Sequence, residues 1–263
     1  MFDFEEEEGQ ESQPKNVKIK VPRITNIRDL LLFEDDDYLV FNKPPGISTL
    51  DERAEGFGQG LLKTVRSTWA DAQAAHRLDK ETSGVIAFAK NPAAYRHLAM
   101  QFEHRDVSKI YHAVSQGVHR VEGVSVYLPI LQMRSGYVVI DRNLGKEAET
   151  LFRTLEIFNG YTLMECHPIT GRMHQIRIHL SCMQASIVSD SRYGGKPIFL
   201  SDIKRRKFKL KKGTKEQPLI SRVALHAREL EFSLISGDRV KVEAPYTKDM
   251  EALLDQLRKH AQA

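Results

Sequence analysis

Short apolar runs bounded by turn-forming residues dominate the hydrophobic pattern of this chain, and such runs are typical of β-strands. The predicted strands cover residues 30–33, 38–41, 85–89, 110–115, 150–158, 161–167, 225–232 and 240–244. Asn159-Gly160 separates two of these runs and is a strong signal for a tight hairpin turn. Lys43-Pro44-Pro45-Gly46 ends the second strand, because proline cannot donate a hydrogen bond to a neighbouring strand.

Apolar positions at helical spacing mark further segments. The predicted helices cover residues 61–70, 91–102 and 174–184, and a last helix begins near Thr247. Asn91 suits the N-cap of the second helix and Pro92 its first turn. Strands mostly follow strands, and the helices are interspersed irregularly. We therefore predict an α+β fold with a mixed, largely antiparallel sheet flanked by helices, not a doubly wound parallel sheet.

Length and composition indicate one folded body behind an N-terminal tail. The chain has 263 residues, 41% of them hydrophobic, so it can bury a substantial core. It contains no evident internal repeat and no long linker. Residues 1–23 are polar and acid-rich, so we expect a disordered tail there and a single domain over residues 24–263.

Nothing in the sequence predicts export or membrane insertion. No apolar run approaches the roughly 20 residues of a membrane span, and the N-terminus lacks the features of a secretory signal. The two cysteines, Cys166 and Cys182, have no metal-ligand spacing and suit reduced thiols. We expect a cytoplasmic protein, and a monomer, because neither a coiled-coil pattern nor an exposed apolar stripe is evident.

The charge is distributed unevenly along the chain. The net charge is +4, but residues 1–37 carry 11 acidic and 5 basic side chains, whereas the remainder carries 24 and 34. A basic body of this kind favours a polyanionic partner such as nucleic acid. A merely soluble basic surface is the alternative.

The densest basic segment covers residues 204–215, with eight cations in twelve positions. Phe208 and Leu210 alternate with lysines there, which is compatible with an extended arm. We predict that Lys207, Lys209 and Lys211 contact RNA phosphates. A solvated loop is the alternative.

Candidate chemistry begins with a carboxylate among cations, since Asp79 lies between Arg77 and Lys80. Nearby cations favour the ionised form of a carboxylate, and an ionised, positioned aspartate can act as nucleophile or base. The alternative is a plain turn, in which Asp79 bonds its own backbone and Gly84 supplies a positive φ.

Two downstream segments carry groups that could complete a site. In Lys109-Ile110-Tyr111, the first and last side chains share a strand face because the period is two. In TGRMHQIRIHL at 170–180, His174 and Arg177 share a helix face, so Arg177 can reach a carboxylate. Tyr111 could equally be a half-buried strand aromatic, and Arg177 a surface cation.

The sequence does not predict a metal site or a nucleotide hydrolase. His174 and His179 are five positions apart, which is the wrong offset for two zinc ligands on one helix face. The sequence also lacks the HExxH motif and the GxxxxGK[ST] loop. We therefore expect no metal ion.

Four segments, in order along the chain, resemble the RluA-type pseudouridine synthases, which isomerise uridine in RNA. They are HRLDKETSG at 76–84, KIYHA at 109–113, GRMHQIRIHL at 171–180 and ALHARELEF at 224–232. The resemblance spans roughly residues 30–245, nearly the whole body. It implies the pseudouridine synthase fold, a catalytic domain over 24–263 and ribosomal or transfer RNA as the substrate.

The resemblance also implies roles for individual residues. Asp79 would be the catalytic aspartate, Tyr111 would stack on the uracil ring and assist proton transfer, and Arg177 would pair with Asp79. Arg77 would hold the RNA near the displaced uridine, and Leu225 would supply a pocket wall. The other residues expected to contact RNA at the site are His76, Lys109, Arg172, His174 and Gln175. No step of this isomerisation needs a cofactor.

Two features depart from the family pattern. Many members carry an RNA-binding module of the S4 type before the catalytic body. Here only a short acidic tail precedes Leu30, so we expect no S4 domain. Residues 181–190, SCMQASIVSD, stand where the family often has a glycine-rich HPI-type loop.

A non-catalytic RNA-binding protein or RNA chaperone on the same fold is the alternative to an enzyme. The intact set of Asp79, Tyr111 and Arg177 favours the enzyme. A simple RNA binder has no need for a carboxylate at the phosphate backbone, where it weakens affinity.

Overall fold

The structure, a computed structural model, describes residues 24–51, 60–204, 208–210 and 213–262. The tail expected at residues 1–23 lies outside these ranges, as do Lys207 and Lys211 of the basic segment.

The described residues form strands and helices close to those predicted. The strands are β1 (Leu31–Glu34), β2 (Tyr38–Lys43), β3 (Gln73–Ala74), β4 (Ser83–Ala89), β5 (Ser108–Gln116), β6 (Val124–Tyr127), β7 (Ile130–Gln132), β8 (Val138–Ile140), β9 (Glu149–Phe158), β10 (Tyr161–Pro168), β11 (Leu225–Ser233) and β12 (Arg239–Glu243). The α-helices are α1 (Leu61–Arg66), α2 (Pro92–His104), α3 (Gln175–Cys182), α4 (Leu200–Lys204) and α5 (Lys248–His260). Within the described ranges, no helix is long and apolar enough to cross a membrane.

The strands form a mixed sheet that is largely antiparallel, which confirms the predicted fold class. Eight strands run in the order β1-β2-β4-β11-β5-β10-β9-β6, with β12 paired to β11 and β3 paired to β4. β4 and β11 run parallel, and the other pairs in this sheet are antiparallel. β7 and β8 form a separate hairpin.

The parallel pair places the Asp79 loop at the centre of the sheet. β4 begins at Ser83, directly after this loop, and Gly84 pairs with Ala227 of β11. Gly84 has a φ of +111°, and a Cβ added there would lie 2.1 Å from the carbonyl oxygen of Ala227. A side chain cannot fit at this distance, so Gly84 is needed for the close approach of the two strands.

Two hydrophobic cores lie along the sheet and both reach Tyr111. The first packs β2, β4 and α2 together and includes Phe41 and Phe88. The second packs α3 and α5 against β5, β9 and β10 and includes Leu180. The α5 residues in the second core are Met250, Leu253, Leu254 and Leu257. Tyr111 packs against both cores, so its backbone position is fixed from two sides.

Two of the predicted helices differ from those observed. The helix predicted over 61–70 ends at Arg66, where Ser67 caps it, because serine competes for the backbone hydrogen bonds that a helix would use. The helix predicted from His174 begins at Gln175, because His174 has a φ of +54° in the left-handed region. His174 therefore reaches its surroundings from the preceding loop and not from one helix face.

Candidate active site

A cavity of about 470 Å³ lies beside the Asp79 loop. The predicted site residues that line it are Asp79, Tyr111, Arg177, His76, Arg77, Lys109, Arg172, His174, Gln175 and Leu225. The fold thus brings residues from all four family-like segments together around one pocket.

Asp79 lies in the wall of this cavity with 23% of its side chain exposed. Its Oδ2 is 3.6 Å from Nη1 of Arg177 and 3.7 Å from Nε2 of His174. The distance to Arg177 suits an ion pair, and both distances exceed the usual hydrogen-bond range. The Thr82 backbone N–H donates to the Asp79 carbonyl at 3.1 Å and fixes the loop. The carboxylate is therefore held in place and still accessible to a ligand.

Arg177 has a closer partner than Asp79. Its Nε and Nη2 donate to the two carboxylate oxygens of Asp190, each at 2.7 Å. Burial lowers the pKa of Arg177, but the hydrogen bonds and charge of Asp190, together with Asp79, outweigh this effect and raise it. The expected pairing of Arg177 with Asp79 is thus only a secondary contact. Asp190 makes Arg177 a rigid cation beside the Asp79 carboxylate.

Lys109 and Tyr111 both line the cavity from β5, as the strand period predicted. Burial, followed by the charge of Asp79, raises the pKa of Tyr111, so its phenol is neutral. Burial, followed by the charge of Arg105, lowers the pKa of Lys109 to about 8. A phosphate near Lys109 would favour its charged form, so this lysine suits an RNA contact.

The His76 side chain makes contacts that stabilise the fold. Its Nε2 accepts a hydrogen bond from the Ala87 backbone N–H at 2.9 Å, and its ring stacks on Phe102 with centroids 4.4 Å apart. Burial, followed by the charge of Lys109, lowers the pKa of His76 to about 3, so the ring is neutral. The Nε2 atom of His76, a residue expected to contact RNA, is thus already bonded within the protein.

The side-chain polar atoms of Gln175 also form hydrogen bonds within the protein. Its Oε1 accepts from the Thr170 hydroxyl at 2.7 Å and from the Arg172 backbone N–H at 3.0 Å. Its Nε2 donates to the Glu149 carbonyl at 2.8 Å. Gln175 thus orders the turn that carries Arg172, whose exposed guanidinium lines the cavity.

The described residues of the basic segment are not among those that line the cavity. Lys204, the first residue of the segment, is the last residue of α4. Lys209 is exposed. Lys207 and Lys211 lie outside the described residues, so their predicted phosphate contacts stay predictions.

Sequence reasoning missed four residues that shape the site, namely Lys43, Asp190, Tyr193 and Arg222. Lys43 is fully buried, and its Nζ donates to the carbonyls of Pro44, Ile47 and Lys80 at 3.1, 2.8 and 3.3 Å. Burial, followed by the charge of Arg222, lowers the pKa of Lys43 to about 7, against the opposing effect of Asp79. A lysine at the end of an apolar strand, directly before two prolines, was the available signal.

Relatives of known name are similar to this chain over nearly all of its length, which corresponds to about three quarters of theirs. The profile of the RNA pseudouridylate synthase family matches residues 37–182. Ribosomal large subunit pseudouridine synthase C of Vibrio cholerae is 32% identical over 255 residues, which cover 95% of this chain and 76% of that protein. The Escherichia coli K12 protein of the same name is also 32% identical, over 94% of this chain and 76% of its own length.

Solved structures share the fold. Human RNA pseudouridylate synthase domain containing 4 has a TM-score of 0.67 at 24% identity, covering 88% of this chain and 94% of its own. Human RNA pseudouridylate synthase domain containing 1 has a TM-score of 0.62 at 22% identity, covering 93% of this chain and 100% of its own. Fold and relatives together define an RNA-modifying isomerase. The chain belongs to the RNA pseudouridylate synthase family and converts uridine in RNA to pseudouridine.

Proposed function

We propose that this enzyme isomerises uridine in the RNA of the large ribosomal subunit, with Asp79 as the catalytic aspartate. The relatives named for that activity support the ribosomal target. The observation that carries the role of Asp79 is its position. It is an accessible carboxylate in the cavity wall, facing the fixed cation Arg177 and sharing the pocket with Tyr111.

The chemistry of the reaction fits these groups. The N1–C1′ bond breaks, the base turns, C1′ joins C5, and the C5 proton then leaves. The target uridine must first leave its stack, which costs a few kcal/mol, and stacking on Tyr111 would return part of that cost. Asp79 would then attack C1′ or remove a sugar proton. Either route needs an ionised carboxylate, which a fixed neighbouring cation favours.

The surrounding cations would bind the RNA backbone. Arg77 and Arg172 are exposed at the cavity, and Lys109 lies deeper in it. Contacts to phosphate position an RNA without reading its sequence. These groups would therefore set the register of the strand around the displaced uridine. We further propose that residues 24–263 act as one catalytic domain, as a monomer in the cytoplasm.

Tritium release from RNA labelled at uridine C5 tests the proposed substrate. Large-subunit ribosomal RNA, small-subunit ribosomal RNA and transfer RNA, each unmodified, would be incubated separately with the wild type and with Asp79→Ala. We expect release only from large-subunit RNA and only with the wild type. Release from transfer RNA alone would refute the ribosomal target, whereas release by Asp79→Ala would refute the catalytic role.

Tyr111→Phe separates stacking from proton transfer. Phenylalanine keeps the aromatic face but lacks the hydroxyl, so RNA affinity should stay within about twofold while the single-turnover rate falls about 10²-fold. Tyr161→Phe, a change in the second core, is the matched control and should leave the rate unchanged. A rate for Tyr111→Phe equal to that of the wild type would restrict Tyr111 to stacking.

The basic segment is tested by changing Lys207, Lys209 and Lys211 together to Ala. Loss of three phosphate contacts should weaken RNA binding and reduce the slope of log affinity against log salt by about 2. The control replaces three exposed lysines elsewhere, Lys63, Lys248 and Lys259. An unchanged salt slope in the first variant, measured by fluorescence anisotropy, would show that the segment is a solvated loop.

A further inference from the structure

The two oxygens of the Asp79 carboxylate have different surroundings. Arg177 and His174 both approach Oδ2, at 3.6 and 3.7 Å. Oδ2 is thus the carboxylate oxygen that lies nearest to each of these two groups. One oxygen therefore faces both groups at closest approach, and Oδ1 lies farther from each of them.

His174 is held from its opposite side by Tyr193. Nδ1 of His174 lies 2.8 Å from the Tyr193 hydroxyl, and the two rings meet edge to face. The Tyr193 ring also lies under the guanidinium of Arg177, 5.1 Å from Cζ to centroid. Tyr193 packs into a small hydrophobic core with Val138 of the β7–β8 hairpin. One tyrosine thus supports both groups that face Asp79.

The contact between Tyr193 and His174 depends on which nitrogen of His174 carries the proton. Burial raises the pKa of Tyr193, so the hydroxyl keeps its hydrogen, and a backbone hydrogen bond from Val138 reaches its oxygen. Burial lowers the pKa of His174 to about 4, so the ring is neutral and has a single N–H. If Tyr193 donates to Nδ1, that N–H is at Nε2 and faces the carboxylate. The other tautomer would bring two lone pairs together at Nε2 and Oδ2.

The charges around His174 leave this neutral state undisturbed. Asp79 and Asp190 favour a protonated ring, whereas Arg177 and Arg192 oppose it. Two anions and two cations largely offset one another, so burial prevails. A neutral donor can orient a carboxylate without adding a second full positive charge, which would reduce its reactivity.

We propose that His174, fixed as the Nε2–H tautomer by Tyr193, anchors Oδ2 of Asp79 together with Arg177, so that Oδ1 is the oxygen presented to the uridine. This assignment of a positioning residue rests on the proposed catalytic role of Asp79. The present distances exceed hydrogen-bond length, and catalytic hydrogen bonds are often long in a free enzyme and shorten when substrate binds.

The tautomer can be measured directly. Nitrogen chemical shifts of the His174 ring, assigned by loss of the signal in His174→Asn, distinguish a proton on Nε2 from one on Nδ1. We expect the Nε2–H form in the wild type at pH 7 and a mixture of tautomers in Tyr193→Phe. A wild-type ring protonated on Nδ1, or on both nitrogens, would overturn the proposal.

Kinetics provides the second measurement. His174→Asn keeps a residue that tolerates the left-handed conformation, but its side chain is too short to reach Oδ2. Its single-turnover rate should fall about 10- to 100-fold, with RNA affinity within about twofold of the wild type. His174→Gln, which restores a donor of the right length, should recover part of the loss.

Each outcome separates the two assignments. A wild-type rate for His174→Asn, or a folded His174→Gln as slow as His174→Asn, would refute the role of His174. If His174→Gln fails to fold, as thermal unfolding would reveal, the tautomer measurement still decides. An active Asp79→Asn would instead refute the proposed function, whatever the His174 variants do.

Discussion

Asp79→Asn is expected to fold and to bind RNA but to form pseudouridine at least roughly 10³-fold more slowly than the wild type. The amide has the shape of the carboxylate but no charge, so it can neither attack C1′ nor accept a sugar proton. Folding should survive because Arg177 keeps its two hydrogen bonds to Asp190. Breaking a buried ion pair usually lowers stability strongly because it leaves a buried charge without a partner. Here the buried cation keeps its partner.

The matched control is Asp71→Asn, which changes the net charge by the same amount at an exposed position. Tritium release, RNA affinity and thermal unfolding would be measured for both variants. The control should match the wild type in all three measurements. Turnover near the wild-type level in Asp79→Asn would contradict the assignment. A comparable loss in both variants would trace the effect to charge alone.

Local pattern was sufficient to predict most of the sheet. The uncharged run at 85–89 is a buried strand, and Asn159-Gly160 joins β9 to β10, with Gly160 at a φ of +85°. The strands β3, β6, β7 and β8 were missed because each has only two to four residues. A period of two cannot be read over so short a run, and pairing with longer neighbours determines these strands.

The site was predictable as a set of residues but not as a set of contacts. Asp79, Tyr111 and Arg177, which line one cavity, could be singled out because each lies in a segment with a chemical signature. The Arg177–Asp190 pair was not found, because it depends on the path of residues 181–190. That path includes two positive φ angles outside glycine, at Gln184 and Ser189. No helical or strand period encodes it, and the same segment departs from the family pattern.

The contacts of Arg222 could not be predicted from the sequence. It is only 1% exposed and is among the largest fully buried side chains of the described residues. Its guanidinium donates to both carboxylate oxygens of Asp249, at 2.7 and 3.1 Å. It also donates to the carbonyls of Glu81, Val223 and Leu225, at 3.3, 3.0 and 3.1 Å. One cation thus ties α5 to the Asp79 loop and to the pocket wall.

Arg222→Met is expected to lower the free energy of unfolding by roughly 3 kcal/mol. Methionine fills a similar volume but offers no donor. Asp249 has 35% of its side chain exposed and can regain water. The backbone at Val223 and Leu225 is buried and cannot. Most of the lost free energy of unfolding therefore comes from the buried carbonyl groups that lose their donor. The loss should appear in urea unfolding as a lower midpoint with an unchanged slope.

Arg258→Met is the matched control, because it removes an arginine that pairs with Glu156 at the surface, with side chains 47% and 36% exposed. An exposed pair contributes at most about 1 kcal/mol, so the control should be nearly as stable as the wild type. Arg222→Met should also reduce the single-turnover rate at urea concentrations below the unfolding midpoint, because Glu81 lies in the Asp79 loop and Leu225 lines the pocket. Equal stability losses in the two variants would contradict the role of Arg222. A destabilised Arg222→Met with a wild-type rate would confine that role to folding.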